Sequence, residues 1–267
     1  MFYDAKNGKI SIADTQMDYI TFGRGRKNMI IIPGMGDGLK NVSGLAVPYA
    51  LLCKKLAKKY KVYVFSRRNI MPETFTTKDM AQDVYYAMNR LNIHEAYVMG
   101  ISQGGMIAQH LALDYPQAVE KLILTVTISK QNKIMNNVIR RWIQMAEAKD
   151  YKAIIIDLAK RSYTRMHIKA ALCMYTLLGN IGEPSNYQRF LTMARACLTH
   201  NTYDRLDKIQ CPTLIIGGRE DGIVSCRASE EIAERIPNSK MYIYKHLGHG
   251  LYQETADFLP RVIQFCK

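Results

Sequence analysis

The chain has 267 residues, of which 48% are hydrophobic and 22% charged, a composition that suits one large α/β domain or a core domain carrying an insertion. Its start, MFYDAKNGKI, has acidic and polar residues without an apolar stretch, and no apolar run approaches the roughly 20 residues that cross a bilayer. These features argue against a signal peptide and a transmembrane segment, so we expect a soluble, cytoplasmic protein.

The formal net charge of +14 raises the question of a nucleic-acid partner. The basic residues are nevertheless spread along the chain, and their densest cluster, LLCKKLAKKYK, has the spacing of an amphipathic helix whose lysines face solvent. We therefore expect no nucleic-acid binding, whereas attraction to anionic substrates or surfaces stays open.

The cysteines are scattered, with no C-x-x-C pair and no short regular spacing. They are Cys53, Cys173, Cys197, Cys211, Cys226 and Cys266. This pattern favours small buried hydrophobic side chains in a reducing compartment over a disulfide framework or a metal knuckle.

In the first half of the chain, short apolar runs alternate with helical patterns, which predicts a mostly parallel, doubly wound sheet. The two opening runs, KISIADT and MDYITFG, predict a pair of strands. The elements predicted after them are the strand NMIIIPG (28–34), a helix over Leu45–Tyr60, the strand KVYVFSR (61–67), a helix over Lys78–Leu91, the strand AYVMGI, a helix over Gln103–Asp114 and the strand EKLILTVTI (120–128).

From Ser129 to about Asp204 the periodicity is helical only, and the strand pattern resumes with CPTLIIGGRED (211–221). A helix near Arg227–Arg235, the strand KMYIYKH and a last helix ending near Cys266 complete the chain. We predict an inserted all-helical cap over residues 129–205 and an α/β core over 1–128 and 206–267. Lysine and arginine outnumber aspartate and glutamate in the insert by 13 to 5.

Residues Gly100 to Gly104 read G-I-S-Q-G at the point where the strand AYVMGI becomes a helix. A G-x-S-x-G turn between strand and helix presents the serine hydroxyl above the helix N-terminus, whose free N–H groups favour a developing anion. Gly105 adds room for the helix to pack close to the strand. We predict Ser102 to be a catalytic nucleophile.

A serine nucleophile needs a base, and the base needs a carboxylate that orients it. Asp221 follows an apolar strand and two glycines, with Glu220 beside it as the rival carboxylate. His249 lies in a glycine-flanked loop after the last strand, whereas His246 is closer to that strand and suits a structural role. The chain order Ser102, Asp221, His249 fits this architecture, and the histidine spacing predicts no metal site.

An oxyanion hole needs two N–H donors. Gln103, directly after Ser102, is the first candidate, and Met35, in the glycine-rich loop PGMGDG, is the second. Asp37 in the same loop would oppose an oxyanion if it pointed inward, so we expect it to point away or to cap the following segment.

With these residues in place, the chain resembles the α/β-hydrolase superfamily over essentially its full length, most closely the lid-bearing esterase, enol-lactonase and C–C-bond hydrolase branch. The segments MGISQGG, DRLDKIQCPTLIIGGREDGIV and HLGHGLYQE carry the resemblance. It implies an eight-stranded core, a helical lid and no cofactor. The chain departs from the branch at Pro33, where histidine is usual, and at FSRRNIMPET, which keeps only Arg68 of an aspartate-x-arginine-glycine pattern.

The leading hypothesis is a serine hydrolase acting on a carboxylic ester, lactone or thioester of a small to medium substrate. Acyl transfer and C–C cleavage use the same three residues and stay open, as does a non-catalytic binding protein on this fold. The basic insert is compatible with an anionic substrate, and the sequence leaves the oligomeric state open. Amphipathic residues of the insert that could either pack or line a pocket are Trp142, Met145, Met166, Met174, Tyr175 and Tyr187.

Overall fold

The computed structural model describes residues 3–164, 167–168 and 182–267. Its sheet has eight strands in the order β1-β2-β4-β3-β5-β6-β7-β8. The strands are β1 Lys6–Ile12, β2 Thr15–Phe22, β3 Lys27–Ile32, β4 Tyr60–Arg68, β5 Ala96–Ile101, β6 Val119–Thr125, β7 Thr213–Gly218 and β8 Ser239–Tyr244. β1 and β2 pair antiparallel, β2 pairs antiparallel with β4, and all the remaining pairs are parallel.

Helices flank this sheet. They are α1 Ala46–Leu52, α2 Lys54–Ala57, α3 Thr77–Arg90, α4 Gln103–Asp114, α5 Lys133–Glu147, α6 Tyr151–Ser162, α7 Gln188–Thr199, α8 Cys226–Arg235, α9 Leu251–Glu254 and α10 Phe258–Phe265. Single 3₁₀ turns cover Met35–Gly38, Pro116–Ala118 and Tyr203–Lys208.

Alternate residues of the central strands face two separate apolar layers. In β3, Ile30 and Ile32 pack with α3, α4 and α8, whereas Met29 and Ile31 pack with α1, α2 and α10. This period of two, with both faces covered, is the reason why the central strands are apolar throughout. The predicted α/β fold with a mostly parallel, eight-stranded, doubly wound sheet is confirmed.

Two predicted elements were wrong in their extent. The helix expected over Leu45–Tyr60 is divided at Cys53, whose ψ of 27° leaves the helical region, and β4 already begins at Tyr60. The strand expected to reach Ile128 ends at Thr125, because Val126 has a φ of 44°. The last helix ends next to Cys266 as expected, since α10 covers Phe258–Phe265, and the short helix α9 precedes it.

Between β6 and β7 lie α5, α6 and α7, and we call the described part of residues 129–205 the cap. The apolar side chains of its helices join the same core layer as α3 and α4, with Met135, Val138, Phe190 and Met193 buried there. The cap is therefore packed on one side of the sheet as a continuation of the core. No helix within 3–164, 167–168 or 182–267 is long and apolar enough to span a bilayer.

Candidate active site

The three residues predicted for catalysis follow the carboxyl ends of three parallel strands. Ser102 follows β5, Asp221 follows β7, and His249 follows β8. Carboxyl ends of parallel strands meet at one edge of the sheet, and in such sheets ligands bind at that edge. The chain thus gathers a hydroxyl, a carboxylate and an imidazole at one sheet edge.

Ser102 occupies a strained turn between β5 and α4. Its backbone has φ 55° and ψ −121°, a conformation that non-glycine residues seldom adopt. Three bonds hold it there: the Ser102 N–H donates to the Thr125 carbonyl at 2.9 Å, and the Ser102 carbonyl accepts the Thr127 hydroxyl at 2.7 Å and the Gly105 N–H at 2.9 Å. The neighbouring strand β6 and the residues after it therefore fix the turn.

Glycines let this turn press against its surroundings. A Cβ on Gly104 would lie 1.9 Å from the Ile32 carbonyl oxygen, and a Cβ on Gly105 would lie 2.6 Å from Thr127. A Cβ on Gly34, in the loop after β3, would lie 3.3 Å from the Cβ of Ser102. The loop that follows β3 consequently lies directly against the serine.

His249 is bonded to Asp221. The ring Nδ1 is 2.8 Å from Asp221 Oδ2, and both side chains are buried. The other carboxylate oxygen accepts the backbone N–H groups of Ile223 and Val224, each at 2.9 Å. The Asp221 carboxylate therefore has fixed partners on both oxygens, whereas Glu220 is exposed.

The loop that carries His249 is held by the end of α6. The N–H of Gly250 donates to the Ser162 carbonyl at 2.7 Å, and the Thr164 hydroxyl donates to Glu254 at 2.6 Å. His246, expected to be structural, has an exposed side chain. The cap and the loop that carries His249 are therefore in direct contact.

Ser102 and His249 both lie in the described ranges, and no hydrogen bond joins them. Ser102 is partly exposed, whereas Asp221 and His249 are buried. The sheet edge thus brings the imidazole and the carboxylate into contact, and the hydroxyl is partly accessible at the same edge.

The two predicted oxyanion donors are the first residues of two helical segments. Gln103 begins α4, and Met35 begins the 3₁₀ turn after β3. The N–H of a first helical residue has no partner within its helix, so it can bind a ligand. Backbone donors are consequently available directly after Ser102 and in the loop that lies against it.

Asp37 is part of a buried charged cluster at the foot of that loop. Its carboxylate accepts the Ser66 hydroxyl at 2.6 Å and the Arg67 backbone N–H at 2.9 Å, and it also accepts from the guanidinium of Arg189 in α7. The carboxylate is therefore occupied by β4 and the cap, in line with the expectation that it has a role other than facing an oxyanion.

Arg67 lies fully inside the same cluster. Its guanidinium donates to the Pro33 carbonyl and, at 3.4 Å, to the Gln103 side-chain oxygen. Burial lowers the pKa of Arg67 to about 10, with Asp37 opposing and Arg189 reinforcing that shift. Two cations and one carboxylate thus leave the base of the loop with a positive excess. In the sequence, the only feature that pointed to Arg67 was the pair of arginines in FSRRNIMPET. No sequence pattern pointed to Arg189.

The Gln103 side chain reaches the cap. Its amide nitrogen donates to the Met193 carbonyl at 2.6 Å and lies 3.1 Å from the Cys197 sulfur, both in α7. Burial raises the pKa of the Cys197 thiol to about 12, which keeps it protonated. The residue after Ser102 therefore ties the turn to the cap, a role that its position in the motif had not indicated.

Of the six residues of the insert that could pack or line a pocket, three lie in the described ranges. Trp142 and Tyr187 are buried in the core layer, and the Trp142 ring N–H donates to Asp157 at 2.8 Å. Met145 is half-buried against the same layer. Met166, Met174 and Tyr175 lie outside the described residues.

Within the ranges that the structure describes, no three histidine, cysteine, aspartate or glutamate side chains are arranged as a metal site. The described cysteines Cys53, Cys197, Cys211, Cys226 and Cys266 are free thiols.

Comparison with known proteins adds a family match. The model of the family described as "alpha/beta hydrolase fold" matches residues 27–255. RutD of Serratia proteamaculans, whose name gives carbamate hydrolysis as a provisional activity, is 24% identical over 218 residues, 78% of this chain and 81% of RutD. The 2-hydroxymuconate semialdehyde hydrolase of Pseudomonas putida is 24% identical over 181 residues, 66% of this chain and 64% of that protein.

Among solved structures, the enol-lactonase of Burkholderia xenovorans LB400 superposes with a TM-score of 0.83 at 16% sequence identity. The match covers 97% of this chain and 99% of the enol-lactonase. At this level of identity the likeness concerns the fold.

Proposed function

This chain belongs to the alpha/beta hydrolase fold family, and from that membership we propose that it is a serine hydrolase that cleaves a carboxylic ester, lactone or thioester through an acyl-enzyme. The observation that carries the proposal is the strained turn that presents Ser102 at the same sheet edge as a buried His249 bonded to Asp221. The proposed core is 1–128 with 206–267, and the proposed cap is 129–205.

In the first step, the Ser102 hydroxyl attacks the substrate carbonyl and its proton passes to Nε2 of His249. Nδ1 of His249 faces Asp221, so this nitrogen carries the ring hydrogen and leaves Nε2 free to accept the proton. The carboxylate then stabilises the imidazolium that forms. Because catalytic hydrogen bonds are often long without substrate, a separated Ser102 and His249 are compatible with this role.

The carbonyl oxygen becomes an oxyanion in the tetrahedral intermediate, and the backbone N–H groups of Gln103 and Met35 are the proposed donors to it. Both belong to first helical residues, which frees them for a ligand. The positive excess of the Asp37, Arg67 and Arg189 cluster lies at the base of the same loop and adds a favourable field.

Collapse of the intermediate transfers the proton from His249 to the leaving alcohol or thiol and leaves an ester between Ser102 and the acyl group. A water molecule then gives its proton to His249 and its oxygen to the acyl carbon. The second intermediate releases the carboxylic acid and restores the Ser102 hydroxyl. No cofactor enters this sequence of steps.

C–C cleavage and transfer to an acceptor other than water are the alternatives, since the same three residues serve all of these reactions. The name of the Pseudomonas relative keeps a C–C substrate open, and the name of RutD adds carbamates to the substrates worth screening. The excess of 13 basic over 5 acidic residues in 129–205 favours an anionic substrate. A cytoplasmic location and a small-molecule substrate complete the proposal.

The test is labelling with a fluorophosphonate, which reacts with activated serines, read by intact mass. We expect one adduct on the unaltered protein and on Ser43→Ala, an exposed serine outside the sheet edge, and no adduct on Ser102→Ala. Ester, lactone, thioester and carbamate panels then assign the substrate class.

A folded, unaltered protein that takes up no probe and cleaves no member of the panels would contradict the proposal and favour a binding protein on this fold. An adduct that persists on Ser102→Ala would place the reactive hydroxyl elsewhere.

A further inference from the structure

The solvent faces of α1 and α2 form a surface of unusual composition. Every exposed residue of α1 is apolar, and every exposed residue of α2 and of the two positions after it is a lysine. The residues of this surface, which we call the α1–α2 surface, are Val47, Pro48, Leu51, Leu52, Lys54, Lys55, Lys58 and Lys59. The two halves adjoin at Cys53, where the helix is divided.

The apolar half is one contiguous stripe. Positions 47, 48, 51 and 52 share one side of a helix because its period is 3.6 residues. Leu52 is 72% exposed and Leu51 is 48% exposed. Single exposed leucines need no explanation, but a whole helix face of apolar side chains in water usually marks a surface that contacts something else.

The charged half has one sign only. From Gly38 to Pro72 the chain contains eight lysine and arginine residues and no aspartate or glutamate. Two of the eight, Arg67 and Arg68, are engaged by Asp37 and Asp83, so the exposed charge comes from lysines. An isolated run of like charges beside an apolar face is typical of surfaces that bind an anionic partner.

A groove continues the surface toward α10. It has a volume of about 460 Å³ and lies between Lys55, Lys58, Lys59 and the last residue, Lys267, with Pro260 and Ile263 supplying apolar walls. Among the residues that the structure describes, no aspartate or glutamate side chain lines it. Ammonium groups above an apolar floor match an anionic headgroup attached to a hydrocarbon.

The α1–α2 surface covers one face of the sheet and not the edge that carries the candidate active site, because the buried sides of α1 and α2 pack with Met29 and Ile31 of β3. A helix that connects parallel strands runs opposite to them, so α1 and α2 lead from the carboxyl end of β3 to the amino end of β4. Ser102, Asp221 and His249 lie at the carboxyl ends. A partner on the α1–α2 surface would leave the active-site edge open.

We propose that the α1–α2 surface docks on the headgroup region of an anionic phospholipid bilayer. Leu51 and Leu52 enter the boundary with the acyl chains, and the lysines of α2 contact the lipid phosphates and carboxylates. Nucleic acid would use the lysines and leave the leucine stripe in water. A second copy of the chain would bring two lysine clusters together. The bilayer satisfies both halves at once.

The experiment is co-flotation of the full chain with unilamellar vesicles of phosphatidylcholine alone or with about 30% phosphatidylserine, in about 0.1 M NaCl. We expect the protein to float with the phosphatidylserine vesicles and to stay behind with phosphatidylcholine. Because surface attraction is screened, raising NaCl to about 0.5 M should release most of the bound protein.

Two variants separate the halves of the surface. Replacing Lys54, Lys55, Lys58 and Lys59 with glutamine should weaken binding by at least ~100-fold, since each lysine near an anionic surface contributes roughly fivefold. Leu51→Ser with Leu52→Ser should weaken it ~10-fold or more, because inserted side chains lose their contact with the acyl region.

Matched controls lie on the cap and on a loop. Replacing the exposed Lys133, Lys149, Lys152 and Lys160 with glutamine changes the net charge equally, and Ile70→Ser with Ile134→Ser removes two equally exposed apolar side chains. Both controls should bind phosphatidylserine vesicles as the unaltered protein does, and circular dichroism should show that all four variants are folded.

The proposal is overturned if the protein ignores phosphatidylserine vesicles, if it binds both vesicle types equally, or if the cap variant loses as much binding as the α2 variant. Tight binding of a short single-stranded RNA that is abolished only by the α2 variant would assign the surface to nucleic acid. Sedimentation showing a dimer that the leucine variant dissociates would assign it to a second copy. Each measurement is independent of hydrolase activity.

Discussion

The loops that carry Ser102, Asp221 and His249 and the helices of the cap are neighbours, yet different contacts hold them in place. The loops are fixed by bonds from backbone N–H groups, such as Ser102 N–H to the Thr125 carbonyl and Ile223 N–H to the Asp221 carboxylate, and by glycines that permit close approach. The cap is fixed by apolar packing and by a few polar side-chain bonds to distant parts of the chain.

These cap anchors join residues that are far apart in sequence. They are Arg189 with Asp37, Gln103 with Met193, Asn132 with Val224, Thr164 with Glu254, Thr202 with Gln109 and His200 with Thr77. A local motif fixes the loops, whereas separate long-range bonds fix the cap. Damage to the loops should therefore lower catalysis at constant stability, and damage to the anchors should lower stability first.

The largest effect is expected from Asp221→Asn. An asparagine keeps the oxygen that accepts from Ile223 and Val224, so the loop should hold its shape. Its NH₂ group would face His249 and stabilise the ring with its hydrogen on the wrong nitrogen, which typically costs about 10⁴-fold in kcat. Steady-state kinetics on an ester, with thermal unfolding alongside, measures both quantities.

Glu220→Gln is the control, because this side chain is exposed and adjacent. Its kcat should stay within about twofold of the unaltered value. Equal losses for the two variants would show that Asp221 acts through charge at long range and not through its bond to His249.

The next effect is expected from Asp37→Asn in the buried cluster. Removing this charge leaves Arg67 and Arg189 without their carboxylate, and breaking a buried pair usually destabilises by about 3–5 kcal/mol. Denaturant unfolding should report this loss. The comparison is Arg195→Met, on the same helix as Arg189. This variant breaks an exposed pair with Glu147 of α5 and should change the free energy of unfolding by less than about 1 kcal/mol.

If Asp37→Asn unfolded at the same denaturant concentration as Arg195→Met, the cluster would not be an anchor of the cap. A lower kcat without lower stability would instead assign Asp37 to the site itself.

The smallest effect concerns pH, at the point where the cap returns to the core. Burial lowers the pKa of His110 to about 4 and that of His200 to about 3. The folded chain therefore keeps both rings neutral, whereas the unfolded chain binds protons below about pH 6.5, so stability falls as the pH drops from there toward 4. Between about pH 7 and about pH 5 the loss should be about 2 kcal/mol for each histidine.

Thermal or denaturant unfolding across this range measures the slope. His200→Gln should remove about half of it, and His94→Gln, at an exposed site, should leave it unchanged. An unchanged slope in His200→Gln would mean that the acid sensitivity arises elsewhere.

The sheet and the turn at Ser102 could be predicted because each depends on residues close together in sequence. Apolar periodicity marks each strand, and G-I-S-Q-G combines the strained residue with the glycines that it needs. Asp221 and His249 were found because strand ends converge at one edge. Their bond is an observation, and their roles stay proposals.

The rest depends on partners that no local pattern names. Arg67 and Arg189 converge on Asp37 from positions 30 and 152 residues away. The division of the first long helix at Cys53 was hidden by continuous helical spacing on both sides. Trp142 and Tyr187 turned out to be buried packing residues, because amphipathic spacing indicates a buried side and does not say what covers it.

Gln103 has a consequence for how this protein can change over evolutionary time. Its backbone begins α4 directly after Ser102, while its side chain holds Met193 and Cys197 in α7. A substitution in α7 that moves Met193 thus also displaces the turn at Ser102. The resulting loss of stability or activity depends on which residue occupies position 103. Such pairs show epistasis, with effects that do not add. Residues on the outer face of the cap can change independently. The side of α7 that is hydrogen-bonded to Gln103 has to change together with the turn.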